Sequence, residues 1–251
     1  MLIYLAGTPA VKHIIFDDVD FKFNRMESFY YARKDDRLRS WIKRYNRIMV
    51  DSGAFTFIMG KQDKKIDINK FTAEYIDFVN EYNIDLFFEM DVDKVYGYST
   101  VKKLRKKIEQ GTGKQTIPVY HMSRGKADWR AMCKDYPYIA LGIGGKDFSF
   151  TDVNAFKAFN GYAQEQGCKV HMLGVTGMTV LDKVPFTSVD SSSWLSSNRY
   201  GGSIHRFNGH KIQIIGVKDK VIKDQTNLMR HNLTQWIKYS NYKEHNGGTY
   251  V

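Results

Sequence analysis

Cysteine is scarce: the 251-residue chain holds two, Cys133 and Cys168, far apart and outside any Cys-x-x-Cys pair. That argues against a disulfide-stapled scaffold and a cysteine-ligated zinc site, and fits a reducing compartment such as the cytoplasm. His205, His210, His231 and His245 have no cysteine partners to build a zinc site with, so no metal and no cofactor are expected. Proline is scarce too, four in all, and low-complexity tracts are lacking. No linker is announced, so one domain is expected over 1–251, with 240–251 as a loose tail around Gly247-Gly248. Long apolar runs are missing: none nears the ~18 residues that suggest a membrane span. The N-terminus also lacks a basic segment followed by an apolar stretch and cleavage site, so a soluble cytoplasmic protein with no membrane partner is expected. Negative charge is the minority, 27 acidic against 38 basic residues, a net charge of +11. Such an excess favours a polyanionic partner, nucleic acid first.

What is present is an alternation. Short apolar runs break into small or polar residues: Leu2-Ile-Tyr-Leu-Ala6, Ser28-Phe-Tyr-Tyr-Ala32 (weaker), Ile48-Met-Val50, Leu86-Phe-Phe88, Ile117-Pro-Val-Tyr120, Tyr138-Ile-Ala-Leu141, Val170-His-Met-Leu173, Phe186-Thr-Ser-Val189 and Ile212-Gln-Ile-Ile215. Between them lie helical patterns at 35–45, 69–82, 100–108, 127–133, 152–165 and 227–239. Phe71, Tyr75, Phe78, Val79 and Tyr82 share one face of the second. Strands alternating with helices predict a parallel sheet, and about eight strands predict an α/β fold of the (β/α)8 TIM-barrel type. Leu5-Ala-Gly-Thr-Pro9 is no phosphate loop, which weighs against an open doubly wound sheet.

In such a barrel the residues after each strand share one face, where active sites are built. Asp51, Asp91, His121, the glycines Gly142, Gly144 and Gly145, Leu173-Gly174 and Asp190 all hold that address. One strand-end aspartate is accounted for as a helix cap, three are less easily so.

The order of these motifs resembles the tRNA-guanine transglycosylase family. Asp51-Ser-Gly-Ala-Phe55 is similar to its Asp-Ser-Gly-Gly-Phe/Tyr motif, and Val170-His-Met-Leu-Gly-Val175 to its Tyr-Leu-Met-Gly-Val strand. Ser188-Val-Asp190 falls where that family keeps its nucleophilic aspartate. Ile117 to His121, Tyr138 to Gly142 and Val189 to Trp194 look like short phage-encoded relatives that exchange guanine in DNA for a 7-deazaguanine. The resemblance spans about 47–202 and lacks the family's zinc-binding subdomain, which puts RNA handling and dimerisation in doubt.

The resemblance implies a chemistry. Base exchange without hydrolysis needs a covalent sugar–enzyme intermediate, and Asp190 is the implied nucleophile. Asp51 is the implied acid/base, in a loop where Ser52 and Gly53 add little bulk, and Phe55 the ring that stacks on the purine. Guanine recognition needs an acceptor facing N1–H and the 2-amino group. Asp91 is the first candidate, with Glu89 and Asp93 as rivals or as ion-pair partners of Lys94. Gly142, Gly144 or Gly145 would let a backbone amide reach O6, and His121 would touch base or phosphate or serve the core. Arg199 and Arg206 are the expected phosphate contacts; Lys102, Lys103, Lys106 and Lys107 are either a further set or a solvated helix face. The expected partners are DNA, whose target guanine must be flipped out, and a free 7-deazaguanine base. Alternatives are tRNA, a catalytically silent nucleic-acid-binding barrel, and a sugar hydrolase, which would not need Phe55 or the glycine slot.

Overall fold

The apolar run at the start forms β1 (Leu2–Leu5), with Ile3, Tyr4 and Leu5 fully buried. In this computed structural model the chain is described over residues 1–7, 22–35, 38–54, 56, 67–142, 152–174, 178–196, 203–216 and 224–246. The next strand is not the apolar Phe29-Tyr-Tyr-Ala32 stretch. It is β2 (Asn24–Ser28), and Phe29–Ala32 turns into a short helix, α1. The polar sequence of β2 is buried because it satisfies itself: Arg25 Nε donates to Glu27 Oε1 over 2.9 Å, and its guanidinium also reaches the carbonyls of Leu5 (2.6 Å) and Gly7 (2.8 Å). A buried charge is tolerated only when paired in this way. Helix α2 (Leu38–Ile42) leads to β3 (Arg47–Asp51).

Helix α3 (Ile68–Glu81) is started by the Asp67 side chain, which accepts from the N–H of Asn69 and Lys70, and it buries Phe71, Tyr75, Phe78 and Val79. Then come α4 (Asp93–Tyr96), α5 (Tyr98–Thr112), β4 (Val119–His121), α6 (Gly125–Asp135), β5 (Tyr138–Gly142), α7 (Val153–Glu165), β6 (Lys169–Met172), α8 (Met178–Lys183) and β7 (Ser188–Ser191). The seven strands form one sheet in the order β3-β2-β1-β7-β6-β5-β4, parallel throughout. Its two outer strands are also linked: isolated parallel bridges join Val50 to Phe87 and Phe88 to Ile117. The Tyr75 hydroxyl reaches the carbonyls of Val50 (3.2 Å) and Phe88 (2.9 Å) across the first of these junctions.

Tyr4, Met26, Met49, Phe88, Val119 and Ala140 gather into one core cluster on a single face of this curled sheet. The helices supply two larger clusters, one with α3 and α5, the other with α6, α7 and the last helix. Cys133 and Cys168, distant in sequence, meet in the latter as buried free thiols. The Ile212-Gln-Ile-Ile215 run is a strand, but in a separate antiparallel hairpin of β8 (Ser203–Phe207) and β9 (Ile212–Gly216). The final helix α9 (Gln225–Asn246) corrects the expected loose tail from 240: Ser240 Oγ donates to the Ile3 carbonyl (3.0 Å), Lys243 pairs with Asp182 (3.0 Å) and Glu244 with Arg47 (2.7 Å). Residues 247–251 lie outside the described residues.

Tyr75→Phe should leave the fold intact and cost about 1 kcal/mol, the net worth of a typical buried hydrogen bond. Urea unfolding checks this; no loss would mean that the hydroxyl does not brace the junction.

Candidate active site

Because every strand of the main sheet runs the same way, the residues at the carboxyl ends meet on one edge. Strand β3 ends in Asp51, and the chain then turns sharply at Gly53. This glycine has φ +79°, and a Cβ there would sit 2.4 Å from the Tyr30 Cβ, so only glycine fits. The turn aims the Gly53 N–H at the Asp51 carboxyl. Burial nonetheless pushes Asp51 up from the ordinary 3.8 to about 7, helped by the negative charge of Asp190 and, less, of Asp91. Ser52 and Gly53 are both buried, and the Ser52 hydroxyl has no hydrogen-bond partner among the described residues.

Asp190 lies in β7 with little exposure. Its Oδ1 accepts the N–H of Gly174 (2.7 Å), the turn residue just past β6, and lies 3.4 Å from His171 Nε2. Leu173, beside Gly174, packs on the interior cluster. Asp91 follows the Phe87–Phe88 bridges, and both its oxygens face His121 Nε2, at 2.8 and 2.9 Å. The rivals of Asp91 are engaged elsewhere. Glu89 is fully buried against Arg105 (2.6 Å) and the Val119 N–H (2.7 Å), and Asp93 pairs with Arg124 (2.8 Å), so neither needs Lys94. Asp91, Asp93 and His121 also bring one ligand atom each within 4.8 Å of one another, the set among the described residues able to hold a cation. Here His121 and Arg124 already take the facing carboxylate oxygens.

Gly142 ends β5, but a Cβ there would meet His121 Cε1 at 2.9 Å. Its missing side chain therefore makes room for the imidazole, a different reason from the close approach to a base that the sequence suggested. Arg206 is exposed on β8, opposite Gln213, and no contact among the described residues ties it to the aspartates. Lys102, Lys103, Lys106 and Lys107 line the exposed face of α5. Phe55, Gly144, Gly145 and Arg199 lie outside the described residues. A cavity lined by Phe29, Arg33, Glu74 and Phe78 opens elsewhere and contains none of the strand-end groups.

In comparisons with known proteins, no family model and no curated relative matches this chain. The strand-end residues therefore have to be read on their own geometry.

That geometry contains three polar residues that motif reading passed over: the buried His171 and Ser188 and the half-buried Tyr138, linked in a hydrogen-bonded chain beneath Asp190. The signal was available. His171 interrupts an apolar strand, and Ser188 and Asp190 stand two apart, hence on the same face of β7.

Asp51 gives a signed pH dependence. Its folded-state value near 7 exceeds the unfolded 3.8, so the folded chain binds the extra proton, and this contribution to stability is lost as pH rises through about 7. Asp51→Asn cannot suffer that loss, so its stability relative to wild type should be higher at pH 8 than at pH 5 in urea titrations. An equal difference at both pH values would mean that Asp51 is ionised throughout.

Proposed function

We propose that the protein is a DNA-guanine transglycosylase, exchanging guanine for a free 7-deazaguanine base through an aspartyl–sugar intermediate. The observation that carries this reading is the pairing of Asp51 and Asp190: two carboxyls near enough for one charge to raise the other, one with its proton near neutral pH and one anchored by a backbone amide. Environments that separate two carboxyls in this way assign them acid and nucleophile roles. The order of the strand-end motifs, similar to guanine transglycosylases, points the same way. We read the scaffold as a (β/α)8 barrel whose eighth strand has shrunk to the Phe87–Phe88 bridges between β3 and β4.

On this reading one Asp190 oxygen bonds to C1′ while the C1′–N9 bond breaks. Its electron pair leaves with guanine, which takes the Asp51 proton. The incoming 7-deazaguanine then gives a proton to the Asp51 carboxylate and attacks C1′, and the ester's pair returns to Asp190. Asp91, oriented by His121, accepts from guanine N1–H and the 2-amino group. Adenine offers no such donor pair. Basic residues, with a net charge of +11 across the chain, supply phosphate contacts.

The test offers labelled guanine and a 7-deazaguanine to the protein with duplex DNA, single-stranded DNA or tRNA, followed by nucleoside mass spectrometry. Incorporation into DNA is expected, abolished by Asp190→Asn with binding retained. Asp91→Asn should raise KM for guanine about 10- to 100-fold, the cost of a charge-assisted hydrogen bond, with unchanged salt dependence of binding. Incorporation into tRNA alone would assign the RNA reaction, and full activity of Asp190→Asn would remove it as nucleophile.

A further inference from the structure

The exchange chemistry above does not use the chain Tyr138–Ser188–His171, yet it is built with care. Tyr138 OH and Ser188 Oγ are 2.5 Å apart, as are Ser188 Oγ and His171 Nδ1. His171 is fully buried, and Tyr4 and Phe88 meet its ring edge-on, at centroid distances of 6.2 and 5.3 Å. Its Nε2 makes no hydrogen bond among the described residues, but Asp190 Oδ1 stands 3.4 Å away.

Counting protons fixes the direction of the chain. The buried phenol of Tyr138 keeps its proton, burial having pushed it well up. Given to Ser188 Oγ, that proton leaves the serine hydroxyl to donate to His171 Nδ1. A neutral imidazole then carries its own proton on Nε2, toward Asp190. The reverse direction would aim a nitrogen lone pair at a carboxylate and leave the phenol without this acceptor.

We infer that His171 is a positioning residue: its Nε2–H faces Asp190 Oδ1 from 3.4 Å while the Gly174 N–H bonds that oxygen, so that Oδ2 is the oxygen that bonds to C1′. This rests on the transglycosylase reading. Oδ1 becomes the ester carbonyl oxygen. When the C1′–Oδ2 bond breaks in the second step, its pair returns to the carboxylate, where both donors stabilise the charge that reappears on Oδ1.

The first measurement is independent of turnover. In protein with 15N-labelled histidine, long-range 1H–15N spectra at pH 8 should show His171 as the Nε2–H tautomer, and Ser188→Ala should release that preference without unfolding the chain. An Nδ1–H tautomer, or a preference unmoved in Ser188→Ala, overturns the proton chain whatever the activity. The second is kinetic: Ser188→Ala and His171→Phe should lower kcat for base exchange about 10- to 100-fold with KM for the base unchanged, and His171→Gln, which keeps a donor, should recover part of it. Variants as fast as wild type overturn the positioning role alone. Wild type with the stated tautomer but no base exchange overturns the transglycosylase reading, and this role with it.

Discussion

Three carboxyl groups crowd the carboxyl edge of one parallel sheet, and like charges in a buried site resist ionising together. The three are held differently. Asp190 has the Gly174 amide on one oxygen and His171 close by; Asp91 has His121 across both oxygens. Asp51 has the Gly53 amide against burial and two negative neighbours, and it is pushed up to about 7. The transglycosylase proposal rests on this unequal distribution of hydrogen-bond donors around the three carboxyls.

The scaffold is arranged to hold that conflict still. Next to β1, the strand β2 carries Arg25 and Glu27 as an ion pair with side chains 0% and 1% exposed, a costly choice unless the pair fixes neighbours in place. Arg25 does so by gripping the carbonyls of Leu5 and Gly7 at the same edge as the aspartates. On the opposite side, Glu89 is buried just before Asp91 and ties Arg105 of α5 to the N–H of Val119 in β4. Among the described residues no helix is long and apolar enough to cross a membrane.

Much of this was legible in the sequence, because apolar runs ending in aspartate, histidine or glycine are a direct imprint of buried parallel strands. Asp51, Asp91, His121, Gly174 and Asp190 stand where those runs placed them. The misses have physical causes. Strand β2 reads Asn-Arg-Met-Glu-Ser, and a hydrophobic pattern cannot reveal a strand whose polar groups are satisfied by each other. The aromatic Phe29-Tyr-Tyr30-31 stretch has strand composition, yet it packs Phe29 against Phe71 and Tyr75 from a helical turn. At Gly142 a hydrophobic pattern could not reveal that the absent side chain leaves room for His121. The antiparallel hairpin escaped because its first strand, Ser203–Phe207, is half polar, with His205 buried against Trp236 and Asn232.

On the transglycosylase proposal, one of the carboxyls is transiently esterified. Quenching the protein with a guanine-containing DNA oligonucleotide during exchange, then digesting it for peptide mass spectrometry, asks which. A sugar adduct confined to the peptide bearing Asp190 is expected. An adduct on Asp51 or Asp91 instead, or continued base exchange with no adduct on any of the three, would contradict it.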